Sequence, residues 1–173
     1  SMSGKVVAVC ISEKKGMRKV SIGEANLIPN WGMEGDAHGG KWHRQISLLS
    51  ASSIEKMKEI GKQKGLDLMP GDFAENITTG GLELFTLPVG TYLKAGETLL
   101  EVTQIGKSCH HHCEIFQQVG QCVMPKEGIF TRVLVGGKIK EEDSIEIWQG
   151  IPVGIITASD KGAKGEREDQ SGK

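Results

Sequence analysis

Aromatic side chains make up only 5% of this chain, and no apolar run approaches the roughly 20 residues of a membrane-spanning helix, so no helical anchor is expected. A dominant charge sign is missing too. With 21 basic against 22 acidic residues the net charge is -1, which supplies no global pull toward nucleic acid or anionic membrane. Neither partner is expected, and any anion binding must be local. The first residues lack the positive-then-apolar order of a secretory signal, and Ser1-Met2 reads as an addition ahead of the natural start, so a cytoplasmic location is expected. Thiols stay reduced there. Cys10, Cys109, Cys113 and Cys122 are therefore read as core, reactive or ligand residues before disulfides.

What the chain has in quantity is glycine, 24 in 173 residues, which places tight turns between short elements. Residues 5–11 alternate and are rich in valine, a strand in which Cys10 is a core residue. A second short strand is expected at 19–22, an irregular section at 23–32 and another strand at 45–49. Ser52-Ser-Ile-Glu55 has the form of a capping box, and Ile54, Met57 and Ile60 follow at helical spacing, so a helix runs until Gly61 or Gly65. Strands at 89–94 and 98–105 flank a three-residue hairpin loop, Ala95-Gly96-Glu97. A short helix is expected at 114–119, a turn at 121–125, and a last pair of strands at 129–135 and 144–148. About seven short strands with one good helix predict a mainly β fold, a barrel or sandwich with one or two helical insertions. The composition changes after residue 148. A short apolar segment gives way to charge, glycine and serine, and disorder is expected from about residue 158.

Chemistry concentrates at 109–113, where two of the four cysteines and three of the five histidines stand within five residues. Three consecutive imidazoles cannot all face a core without losing hydrogen-bond partners. Two chemistries fit: an activated thiolate at Cys109, or a metal such as zinc held by Cys109, Cys113 and His110 or His112. A closed structural site usually draws on two separated pairs of ligands, and no second pair is obvious beyond Cys122 or His38. Lys107 and the imidazoles supply cations that favour the thiolate, and Ser108 could cap a helix beginning at Cys109. Two glycine-bounded segments stand apart from this cluster. Residues 35–40 place Asp36 and His38 on a loop, either beside a ligand or within a polar turn. Residues 71–81 carry Asp72, Glu75, Asn76, Thr78 and Thr79, which either line a site or satisfy a buried loop's backbone.

Three ordered blocks, Gly35-Asp-Ala-His-Gly-Gly40, Gly71-Asp-Phe-Ala-Glu-Asn-Ile-Thr78 and Leu100-Glu-Val-Thr-Gln-Ile-Gly-Lys-Ser-Cys109, resemble the MOSC family, named for the C-terminal domain of molybdenum cofactor sulfurase. The likeness covers residues 5–148. It implies a β-barrel related to the pyruvate kinase barrel domain, and binding of the molybdenum cofactor (molybdopterin) or handling of its sulfur. Cys109 stands at the family's characteristic cysteine, as a persulfide carrier or a molybdenum ligand. Whether turnover accompanies this, or the domain is a metal-binding or cofactor-sensing module, stays open. Asp36, His38, Asn76, Thr78 and Lys107 become the candidate cofactor contacts. Neither a desulfurase domain nor its lysine motif is present, so pyridoxal phosphate would belong to a partner cysteine desulfurase, with a molybdoenzyme as acceptor. Ala74 stands where glycine is common, and Lys107 where arginine is common. Residues 149–173 resemble a linker and the truncated opening of a molybdopterin adenylyltransferase-like domain.

Overall fold

The computed structural model describes residues 3–109 and 114–150. In chain order the elements are Ser3–Ile11 (β1), Val20–Ser21 (β2), Glu24–Ile28 (β3), Gly32–Met33 (β4), Ile46–Ser50 (β5), Ala51–Gln63 (α1) and Ile77–Gly80 (β6). Tyr92–Ala95 (β7), Thr98–Ile105 (β8), Glu114–Val119 (α2), Met124–Glu127 (α3), Ile129–Val135 (β9), Gly137–Lys140 (β10) and Ser144–Trp148 (β11) complete them. Strand neighbours run β11-β7-β8-β9-β5-β6-β1, and β1 pairs in turn with β11, which closes a seven-stranded barrel and leaves it no open edge. β2 adds to β1 outside the ring, and β10, β3 and β4 form a separate three-stranded sheet. The protein is mainly β, as its sequence pattern predicts.

The period of two along each strand sorts side chains between two cores. Inside the barrel, Val6, Val9, Ile46, Leu48, Ile77, Leu93, Leu100, Val102, Ile129, Val133 and Ile145 pack together. On the outside of the same wall, Leu49 and Phe130 meet Ile54 and Met57 of α1, Ile115 and Val119 of α2, and Met124 of α3. β5 is thus buried along its whole length, with Leu48 inside and Leu49 beneath the helices. Its parallel pairing with β6 requires a crossover, which α1 provides.

Several expectations are corrected. The helix cap is Ser50, whose Oγ accepts the Ser53 N–H at 3.3 Å; the box beginning at Ser52 is two residues late, because the strand ends directly into the helix. Gly61 does not stop α1, which continues to Gln63 and turns at Gly65 in the left-handed region. The irregular section 23–32 contains β3, whose ladder to β10 runs from Leu27↔Gly137 to Glu24↔Lys140. The expected turn at 121–125 carries α3, so the helices number three among the described residues. The strands at 129–135 and 144–148 are both present but do not pair with each other: β9 lies between β8 and β5, and β11 between β7 and β1. The strand expected at 89–94 begins at Tyr92 and runs through Ala95, which pairs with Thr98, so the hairpin loop is the two residues Gly96-Glu97 and not three; the strand expected at 19–22 shrinks to two residues. The tail expected to be disordered lies outside the described residues.

Candidate functional site

At the end of β8 the chain bends through Gly106, whose φ is 65°, and a Cβ there would lie 2.2 Å from the Pro125 carbonyl oxygen. Only glycine fits. The bend is tied to the α3 loop, as the Gly106 N–H donates to the Gly128 carbonyl at 2.7 Å and the Lys107 N–H to the Pro125 carbonyl at 3.0 Å. Two residues on, Cys109 is exposed and makes no disulfide. It lies in irregular backbone, so no helix begins at Cys109 for Ser108 to cap. His110, His112 and Cys113, the other members of the metal reading, lie outside the described residues. Among the described residues no group of three or more His, Cys, Asp or Glu side chains is arranged to hold a metal ion.

Beside this bend is a cationic face that the sequence does not announce. The Arg44 guanidinium lies 4.7 Å from the Trp42 ring centre and 5.5 Å from that of Phe130, so one cation bridges two aromatic faces. Lys15 approaches Trp42 at 5.1 Å, and Lys107 approaches Phe130 at 6.0 Å. Arg44 Nε is buried with no hydrogen-bond partner among the described residues, a donor left over in a place where donors are normally paired. His43 also belongs here: its Nε2 meets Gln104 Oε1 at 2.7 Å, and its carbonyl accepts from the Thr103 hydroxyl.

Trp42 links this face to Asp36 and His38 by donating Nε1–H to the His38 carbonyl at 2.9 Å. Asp36 and His38, joined in the sequence argument only by proximity, do meet. The His38 N–H donates to Asp36 Oδ2 at 3.1 Å, and the Ser12 N–H to Asp36 Oδ1 at 3.1 Å. The member that sequence reasoning missed is Lys19. Its side chain is fully buried, donates to Asp36 Oδ1 at 2.7 Å and to Ser12 Oγ at 3.0 Å, and meets His38 Nδ1 at 3.0 Å. Burial alone would raise the Asp36 pKa, but the neighbouring His38 and the Lys19 ammonium, by hydrogen bond and by charge, outweigh it and hold the carboxyl far below its usual range. Burial lowers the Lys19 pKa despite the same ion pair.

Asn76 and Thr78 are brought together elsewhere. Asn76 Oδ1 accepts the Ser47 N–H at 3.0 Å, and its amide donates to the Cys10 carbonyl at 3.2 Å. Thr78 donates to Glu75 Oε2 at 2.7 Å, and Glu75 also accepts the Gly71 and Phe73 N–H groups. All three polar side chains are at 0% exposure, so this cluster satisfies a buried loop and presents nothing to a ligand. Burial raises the Glu75 pKa, against the hydrogen bonds it accepts. The loop is tight. Ala74 sits at φ 64°, a conformation that suits glycine, and a Cβ at Gly71 would lie 2.3 Å from the Lys19 carbonyl oxygen. Cys10, packed behind it, is fully buried, and burial first, then Glu75, push its thiol up to about 12.

A closed barrel with an exposed cysteine on the bend that ends one of its strands defines a class, and the MOSC domain family model matches residues 34–146, so the chain belongs to the MOSC domain family. Among individual relatives, Protein YiiM of Escherichia coli (strain K12) is 24% identical over 156 residues, covering 84% of this chain and 69% of that protein. The crystal structure of the YUAD protein from Bacillus subtilis is similar in fold, with a TM-score of 0.68, 20% identity, and coverage of 84% of this chain and 96% of that one. So is YiiM from Geobacillus stearothermophilus, at TM-score 0.64 and 17% identity, covering 97% of this chain and 92% of that one. Family membership points to a molybdenum-cofactor-related role and no further. The matched span ends before residue 149, and the reading of 149–173 as a fused adenylyltransferase-like domain gains no support from these relatives. No described helix is long and apolar enough to cross a membrane.

Proposed function

We propose that this protein binds the molybdenum cofactor or carries its sulfur, with Cys109 as the working thiol. The observation that carries the reading is an exposed cysteine two residues beyond Lys107, on a bend that adjoins the Arg44, Trp42 and Phe130 face. The residues fit an anionic group of this kind: Arg44, Lys107 and Lys15 supply positive charge, and the buried Arg44 Nε still lacks an acceptor among the described residues. Arg44 and Lys107 would hold the cofactor's phosphate, with His38 at the edge of the same face. Arg44 offers the planar fork suited to phosphate, which offsets the presence of lysine rather than arginine at 107. Bound there, the cofactor supplies the molybdenum and sulfur chemistry.

The chain's own contribution is positional and nucleophilic. As a sulfur carrier, the Cys109 thiolate attacks the terminal sulfur of a donor persulfide. The donor's S–S bond breaks as the new one forms, the donor leaves as a thiolate, and no net oxidation occurs. The donor is a pyridoxal phosphate-dependent cysteine desulfurase acting as a separate partner, and the acceptor is the cofactor or a molybdoenzyme. As a ligand, the same thiolate would hold the cofactor's molybdenum. Intact mass spectrometry after incubation with a cysteine desulfurase and cysteine separates the two: a carrier gains one sulfur that Cys109→Ser does not. Retention of molybdenum by the wild type, lost in Cys109→Ser with no sulfur added in the first assay, selects the ligand role. If the wild type neither gains sulfur nor retains molybdenum, the proposal is rejected.

A further inference from the structure

Lys19 has no part in the function proposed above, yet a fully buried ammonium is costly unless every proton on it is used. Its three contacts, Asp36 Oδ1 at 2.7 Å, Ser12 Oγ at 3.0 Å and His38 Nδ1 at 3.0 Å, equal the three donors of an ammonium, which has no acceptor. The nitrogen of His38 that meets it must therefore accept. The competing arrangement, Nδ1–H donating to Asp36 Oδ2, is ruled out by the 3.7 Å between them, and that oxygen already takes the His38 backbone N–H at 3.1 Å. In a neutral imidazole with an accepting Nδ1, the ring proton sits on Nε2. Nε2 has no partner among the described residues, and the His38 side chain is 25% exposed although its Nδ1 rests against a fully buried group.

We propose that Lys19 is a positioning residue that fixes His38 as its Nε2–H tautomer, so that His38 offers a hydrogen-bond donor to an anionic or oxo-bearing ligand. The same lock removes the Nε2 lone pair, and His38 acts neither as a metal ligand nor as a general base. Asp36 holds Lys19 in place and the His38 backbone with it, and the Trp42 indole, bonded to the His38 carbonyl, carries the arrangement to the Arg44 face. The ligand's identity rests on the function proposed above. The tautomer does not.

The test is long-range proton–nitrogen correlation on the full chain labelled in histidine nitrogen, with no ligand added. The expected spectrum shows His38 with an unprotonated Nδ1 and a protonated Nε2. A protonated Nδ1 overturns the proposal. Lys19→Met combined with Asp36→Asn removes the donor without leaving a lone buried carboxylate, and His38 in it should lose its single tautomer; an unchanged His38 pattern also overturns the proposal. Titration with orthophosphate then reads the donor role. His38→Ala should weaken binding about tenfold, the value of one hydrogen bond to a charged group, and adding the Lys19 and Asp36 changes should weaken it little further. If the wild type fixes the tautomer yet orthophosphate does not bind, the donor role and the anion-binding face both fall, and the tautomer lock alone stands.

Discussion

Glu75 and Asp36 are both buried carboxylates in glycine-flanked motifs, yet their pKa values move in opposite directions. Glu75 has only neutral donors, the Gly71 and Phe73 amides and the Thr78 hydroxyl, and burial prevails. Asp36 has a buried ammonium at 2.7 Å, and pairing prevails. What differs is where each network ends. The Glu75 and Asn76 groups end on backbone and close on themselves, whereas the Asp36 group ends on a partly exposed imidazole beside a cationic face. A closed network holds a loop in shape. An open one can present a group to a ligand.

The sharpest way to break this distinction is Asn76→Ala. It strips partners from the buried Ser47 amide and Cys10 carbonyl, and the expected loss is about 4 kcal/mol in urea unfolding, from roughly 1–3 kcal/mol per orphaned group. A loss under about 1 kcal/mol would show that the cluster is not the closed structural clip described. In protein that remains folded, the His38 tautomer should be unaltered.

The pH dependence of stability should separate the two carboxylates next. Because Glu75 is raised in the folded protein, the native state binds more protons just above the ordinary glutamate range, and its contribution falls as pH rises through that window. Asp36 is lowered, so its contribution is present above the ordinary aspartate range and lost as pH falls below it. Glu75→Gln should flatten the first slope and Asp36→Asn the second, measured by urea midpoints across pH. Equal effects of both variants on the acid side would contradict the opposite shifts.

A smaller effect comes from Ala74, held at φ 64° in the closed loop. Ala74→Gly should stabilise the fold by about 1 kcal/mol, since a left-handed non-glycine residue costs roughly that amount. Thermal unfolding that shows no gain would mean the strain is absorbed elsewhere.

Much of the barrel was legible because local pattern and tertiary environment agree. The β7–β8 hairpin, though its loop is Gly96-Glu97 with Ala95 already in the ladder, and the apolar alternation of β9 and β11 read directly as strands. β3 was not legible, since Glu24, Asn26 and Ile28 face solvent and only Leu27 is deeply buried, which leaves no apolar period to see. β6 hides for another reason: Thr78 and Thr79 are wholly buried polar residues, one held by Glu75. At the site, Asp36, His38 and Cys109 were visible from their motifs. Lys19 was not, because a lysine is normally a surface residue and its burial depends on a partner 17 positions away. The Arg44 face was also hidden, as Arg44 and Phe130 are brought together by β5 pairing with β9, in which Ser47 stands opposite Phe130.

Native-state alkylation with peptide mapping tests the account of Cys109 most directly, because both versions of the proposed function need an accessible, reactive thiol there. Cys10 is fully buried and its thiol is pushed up to about 12, whereas Cys109 is exposed at the end of the β8 bend. Near neutral pH, limited iodoacetamide should label Cys109 first of the four cysteines, with Cys10 protected until the protein unfolds. Labelling of Cys109 no faster than Cys10 in the native protein would contradict its role as the working thiol.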